Sequence, residues 1–132
     1  MTEKELNSVR ELNKQIRRQE QHLQALRLSA ENLVPILDGL PHSNEAKSRV
    51  EKIALMIIEN ERELENLRAQ LDRASEDLPA RIHDEVSDVQ ERTVLLLRYV
   101  ACMRFRDIAF QLERSEARVF QIHHDVLKKI LR

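Results

Sequence analysis

From Val9 to Leu33 a heptad places Val9, Leu12, Ile16, Gln19, Leu23, Leu26, Ala30 and Leu33 at its a and d positions, and seven of these eight are apolar. A second string follows: Val50, Ile53, Ile57, Asn60, Leu64, Leu67, Leu71, Ala74 and Leu78, with charged residues at most positions between. Apolar residues repeating every 3.5 positions over more than three heptads predict coiled-coil helices. The chain between the strings, residues 34 to 44, holds the only glycine (Gly39) and two of the three prolines (Pro35, Pro41). Both helices are expected to stop there, with Ser43 or Asn44 capping the second. Two helices of about 30 residues, roughly 45 Å each, joined by so short a link predict an antiparallel hairpin over residues 1–78. Pairing positions whose numbers total 83 sets every a against a d, as for Leu33 with Val50 and Leu23 with Asn60. Gln19 and Asn60 then fall in adjacent layers, where a hydrogen bond between their amides is expected to fix the register.

One stretch is more apolar than a two-helix seam requires. Ile53 to Ile58 is apolar almost all round the helix, and a helix apolar on every side asks for burial on every side. Leu55, Met56 and Ile58 are therefore candidates for oligomerisation, most simply as a homodimer; the alternative is that the link between the helices folds over them. Residues 79–90 are acidic, and a hinge is expected at Leu78–Pro79, with Pro79 opening a new helix.

Beyond Glu91 the heptads give way to short amphipathic segments. Val94, Leu95, Leu97 and Val100 mark one helix, and Ile108, Ala109 and Leu112 a second. Glu113-Arg114-Ser115 forms a turn, and Ser115 is placed to cap a last helix with Val119, Ile122, Val126, Leu127, Ile130 and Leu131 on its apolar face. Helix, three-residue turn and capped helix is the helix-turn-helix plan. All four aromatics lie between positions 99 and 120. Tyr99, Phe105 and Phe110 are expected to form the core of this small domain; Phe120 either packs on a neighbouring helix or contacts a base.

With one glycine, three prolines and 34% charged residues, the composition suits an all-α protein and excludes sandwiches, barrels and dinucleotide folds. No Gly-rich loop or nucleophile-base pair appears, so no enzyme is expected. The single Cys102 permits no internal disulfide and is read as a buried filler. His123 and His124 complete no ligand set, so neither metal nor cofactor is expected. The longest apolar run is far too short to span a bilayer, and a cytoplasmic protein without membrane contact follows. The near-zero net charge conceals an asymmetry: 13 basic and 18 acidic side chains to residue 90, against 9 and 5 beyond it. The basic C-terminal region is compatible with double-stranded DNA.

The residues Glu91-Arg92-Thr93-Val94-Leu95-Leu96-Leu97-Arg98-Tyr99, then Ile108-Ala109, Leu112, Ser115, Val119 and Leu127-Lys128-Lys129-Ile130-Leu131, resemble region 4 of bacterial sigma factors, the domain that reads the -35 promoter element. Residues 26 to 33, followed by Pro35, Gly39 and Pro41, are similar to small phage and prophage proteins of Gram-positive bacteria that place a helical hairpin before a sigma region 4-like domain (here residues 91–132). The resemblance implies a transcriptional regulator. It implies base reading by Ala117, Arg118, Phe120, Gln121 and His124, and phosphate contacts by Arg114, Lys128 and Lys129. Arg118 suits guanine, Gln121 adenine, and Phe120 or Ala117 a thymine methyl group. Three positions depart from the family pattern: Cys102 and Glu113 stand where glycine is usual, and Arg104 where a Ser or Thr cap is common. Glu116 and Asp125 lie near the DNA-facing side. Contact with RNA polymerase is a related expectation. The alternatives from other classes are a small terminase-like packaging subunit and a coiled-coil adaptor that binds protein.

Overall fold

The computed structural model describes residues 1–38 and 44–132, with side chains for 1–33, 45 and 47–132. Among these residues the protein is all helical: α1 (Glu3–Leu6), α2 (Ser8–Asp38), α3 (Asn44–Glu85), α4 (Val89–Tyr99), α5 (Phe105–Leu112) and α6 (Glu116–Ile130). No helix among them is long and apolar enough to cross a membrane. The chain divides into two compact units, one of Lys14–Ala69 and one of Met1–Asn13 with Gln70–Arg132.

In the Lys14–Ala69 unit burial follows the heptads position by position. From residue 14 to 33 every a and d position is covered and every other position exposed, and the same holds from residue 47 to 69 wherever a side chain is described. Ile16, Leu23, Leu64 and Leu67 form the buried apolar seam, with Asn60 buried among them. Ion pairs flank it: Glu20 with Arg68 at 3.3 Å and Arg27 with Glu61 at 2.8 Å. The two pairs advance seven residues along α2 and retreat seven along α3. The expected Gln19–Asn60 hydrogen bond is absent. Gln19 Oε1 and Asn60 Oδ1 are both buried without a partner, and an amide-to-amide bond needs one of these oxygens as acceptor. Leu55, Met56 and Ile58 are exposed, as is Leu28. α2 ends at Asp38 and α3 begins at Asn44, so both helices stop within residues 34–44 as expected, with Pro35 inside α2. Gly39, Pro41 and the proposed cap Ser43 lie outside the described residues.

The second unit assembles segments that the sequence pattern had kept apart. Its larger core joins Met1, Leu6 and Val9 to Leu78, Ile82, Val86, Leu95, Tyr99, Val126 and Ile130. Thr2 caps α1 through a capping box: its Oγ1 accepts from the Glu5 amide at 3.2 Å while its own amide donates to Glu5 Oε2 at 2.9 Å. The Met1 ammonium donates to the Ile130 carbonyl at 3.1 Å, and the Arg132 amide donates to the Met1 carbonyl at 3.2 Å. Residues 1–13 and 70–90 thus belong with the C-terminal helices rather than with a hairpin and a hinge.

No hinge or new helix begins at Leu78–Pro79, because α3 continues through Pro79 to Glu85. A proline inside a helix costs about 3 kcal/mol. Leu78, Ile82 and Val86, spaced four apart and each less than 5% exposed, offset it, since full burial of such a side chain contributes about 1.5–3 kcal/mol. The following link is held from α4: Arg92 donates from Nε to the Val86 carbonyl and from a terminal nitrogen to the Ser87 carbonyl, each at 3.0 Å.

Candidate nucleic-acid interface

α4, α5 and α6 pack around a small aliphatic core of Val94, Ile108, Ala109, Val119 and Ile122. Asp88 caps α4, accepting from the Glu91 amide at 2.9 Å. The two turns between these helices each rest on one left-handed residue, Cys102 with φ 58° and Glu113 with φ 55°, the only non-glycine positive-φ residues among those described. They are the same two positions where the sequence lacks an expected glycine. Cys102 Sγ accepts from Asn13 Nδ2 at 3.4 Å, and the side chain is partly buried against the larger core rather than fully enclosed. Arg104, at the start of α5, makes no capping bond with its side chain. At the other turn the Arg114 amide donates to the Ala109 carbonyl at 3.0 Å. Ser115 Oγ then accepts from the Arg118 amide at 3.1 Å and starts α6.

α6 buries Val119, Ile122, Val126 and Ile130. At about 100° per residue, Ala117, Gln121, His124 and Lys128 lie along the middle of the opposite side, with Arg118 at one edge and Phe120 at the other. All six are exposed, as are Arg114 and Lys129. They are not equally available. Gln121 Nε2 donates to Asp125 Oδ1 at 3.0 Å, and Lys129 Nζ pairs with Glu91 Oε1 at 2.7 Å, which pushes the lysine pKa up.

Of the three aromatics expected in the core, Tyr99 and Phe105 pack inward and Phe110 does not. Phe110 is 87% exposed, so it belongs to no core, whereas Tyr99 is buried. On α5 the positions facing α4 and α6 are taken by Ile108, Ala109 and Leu112, and residue 110 lies on the far side of the helix. Phe120, 47% exposed, packs against Phe105 with ring centroids 4.4 Å apart. Phe105 in turn lies under the Arg98 guanidinium at 4.2 Å and meets the His123 ring in a T-shaped contact with centroids 4.9 Å apart. The Tyr99 hydroxyl and His123 Nε2 are 2.7 Å apart. Burial, with Arg98 nearby, lowers the His123 pKa to about 4, so the ring is neutral at physiological pH. Burial also pushes the Tyr99 phenol up.

Arg98, Phe105 and His123 were not singled out as a group by sequence reasoning. Their only signal was the confinement of aromatics to this region, because the partners come from three different helices. The chain matches no family model, no curated protein and no solved structure.

Proposed function

We propose that this protein is a sequence-specific DNA-binding transcriptional regulator of the phage or prophage kind, with α5 and α6 as a helix-turn-helix and α6 as its reading helix. The observation that carries this is the exposed line Ala117, Gln121, His124 and Lys128 on a helix capped by Ser115 and buried on its other side. A helix of this kind fits the major groove with its N-terminal residues at the base edges. Arg118 would donate two hydrogen bonds to guanine, and Gln121, released from Asp125, would pair with adenine. Arg114, Lys128 and Lys129 would bind phosphates, adding affinity without sequence information. The acidic Glu116 and Asp125 beside them predict weak, salt-sensitive binding by one copy alone.

A second copy remedies that weakness. The α2–α3 ion pairs support an antiparallel hairpin, and exposed Leu55, Met56 and Ile58 would join two hairpins into a dimer that presents two reading helices to two half-sites. One observation favours a second reading, an adaptor for RNA polymerase or another protein: Phe110 is 87% exposed, more than DNA reading by α6 requires.

Selection from random duplexes at low salt tests the proposal, with wild type beside Arg118→Ala/Gln121→Ala. A motif recovered by wild type and lost in the double variant is expected. Absence of any enriched motif overturns DNA reading in favour of the adaptor.

A further inference from the structure

The two apolar side chains on the exposed side of α6, Ala117 and Phe120, are three residues apart and therefore neighbours on the helix surface. Both lie in its first half, where a reading helix meets base edges. The Phe120 ring is half exposed yet held from behind by Phe105 at 4.4 Å. Phe105 itself contacts the Arg98 guanidinium at 4.2 Å and the His123 ring at a centroid distance of 4.9 Å. A half-exposed ring packed in this way surrenders little side-chain freedom when something covers it. The adjacent polar candidate differs, since Gln121 must first give up its bond to Asp125.

We propose that Ala117 and Phe120 together form an apolar step that reads the 5-methyl group of a pyrimidine in the major groove; this rests on the DNA reading proposed above. The major groove displays that methyl group on thymine, and 5-methylcytosine carries the same group at the same ring position. Ala117 supplies a methyl-sized floor and Phe120 a fixed wall, and neither needs a hydrogen-bond partner.

The experiment starts from the motif recovered by duplex selection. Each thymine is replaced in turn by deoxyuridine, which removes only the methyl group, and each cytosine by 5-methylcytosine; affinities are measured at one fixed salt concentration. At one or two positions wild type is expected to bind the uridine duplex about fourfold more weakly, or the methylcytosine duplex about fourfold more tightly, the effect of one buried methyl group. The thymine and cytosine arms separate the two sources of the group. Phe120→Ala, with folding checked by its melting transition, should bind methylated and unmethylated duplexes alike. Because the base replacements leave the protein untouched, wild type decides the question even where the variant does not fold. A motif whose every thymine and cytosine is indifferent to the methyl group overturns this inference and leaves DNA reading standing. Failure to recover any motif overturns both.

Discussion

The Tyr99 hydroxyl and the Nε2 of His123 lie 2.7 Å apart, and their rings stack at a centroid distance of 5.7 Å, tying α4 to α6. Burial above all, then the charges of Arg98 on α4, of His124 when protonated and of Arg10 on α2, lower the His123 pKa to about 4 from 6.5. Well above pH 6.5 the ring is neutral whether folded or unfolded, so it makes no contribution to pH dependence there. As pH falls from about 6.5 to about 4 the unfolded chain takes up a proton that the folded protein refuses, and stability is lost. Allowing for solvent screening of a half-buried ring, the loss is on the order of 1–2 kcal/mol. Urea denaturation at pH 7 and pH 4.5 measures it, and His123→Gln should show a smaller difference between the two.

Leu6 and Ile82 are each no more than 1% exposed, whereas Leu55 is 59% exposed. Leu6→Ala and Ile82→Ala are therefore expected to destabilise the unit by about 2–5 kcal/mol. Leu55→Ala should leave the melting temperature of the monomer almost unchanged. Deletion of residues 1–13 should abolish the cooperative transition of the C-terminal helices. Retention of that transition would show that Met1, Leu6 and Val9 are dispensable to their core.

Glu113 holds φ at 55° and ψ at 43°, a conformation that costs a non-glycine residue roughly 1 kcal/mol. Glu113→Gly should raise the unfolding free energy, measured by urea denaturation, by up to that amount. Cys102→Gly, also at a positive φ, should gain less, because it removes the Asn13 bond and the packing of the cysteine side chain. Arg104→Ser should add about 0.5–1 kcal/mol by supplying the missing cap of α5. Its lost ion pair with Asp107 is an exposed one and contributes little.

Asn60 is 8% exposed, and its Oδ1 has no hydrogen-bond partner. An unpaired buried amide costs about 1–3 kcal/mol, so Asn60→Leu should stabilise the coiled-coil unit, measured by thermal melting. A fall in melting temperature would mean that the amide is paired in solution. Gln19→Leu should act in the same direction but less, since Gln19 is only half-buried.

By itself the sequence determined the features in which each residue's environment depends on near neighbours. Burial at a two-helix seam recurs with the helix period, so the heptads marked the covered positions from Ile16 to Leu33 and from Val50 to Leu67 correctly. The Ser115 cap is equally local, set within a few residues. Only the tertiary structure decided that Met1, Leu6 and Val9 share a core with Ile82 and Val126, that α3 runs through Pro79, and that Phe110 faces outward while Phe105 stacks on Phe120. These outcomes depend on residues distant along the chain. The apolar surface available to a short N-terminal segment, or to the stripe beyond Pro79, exists only once α4 and α6 have been brought beside it. No periodicity within one segment encodes which partner will arrive.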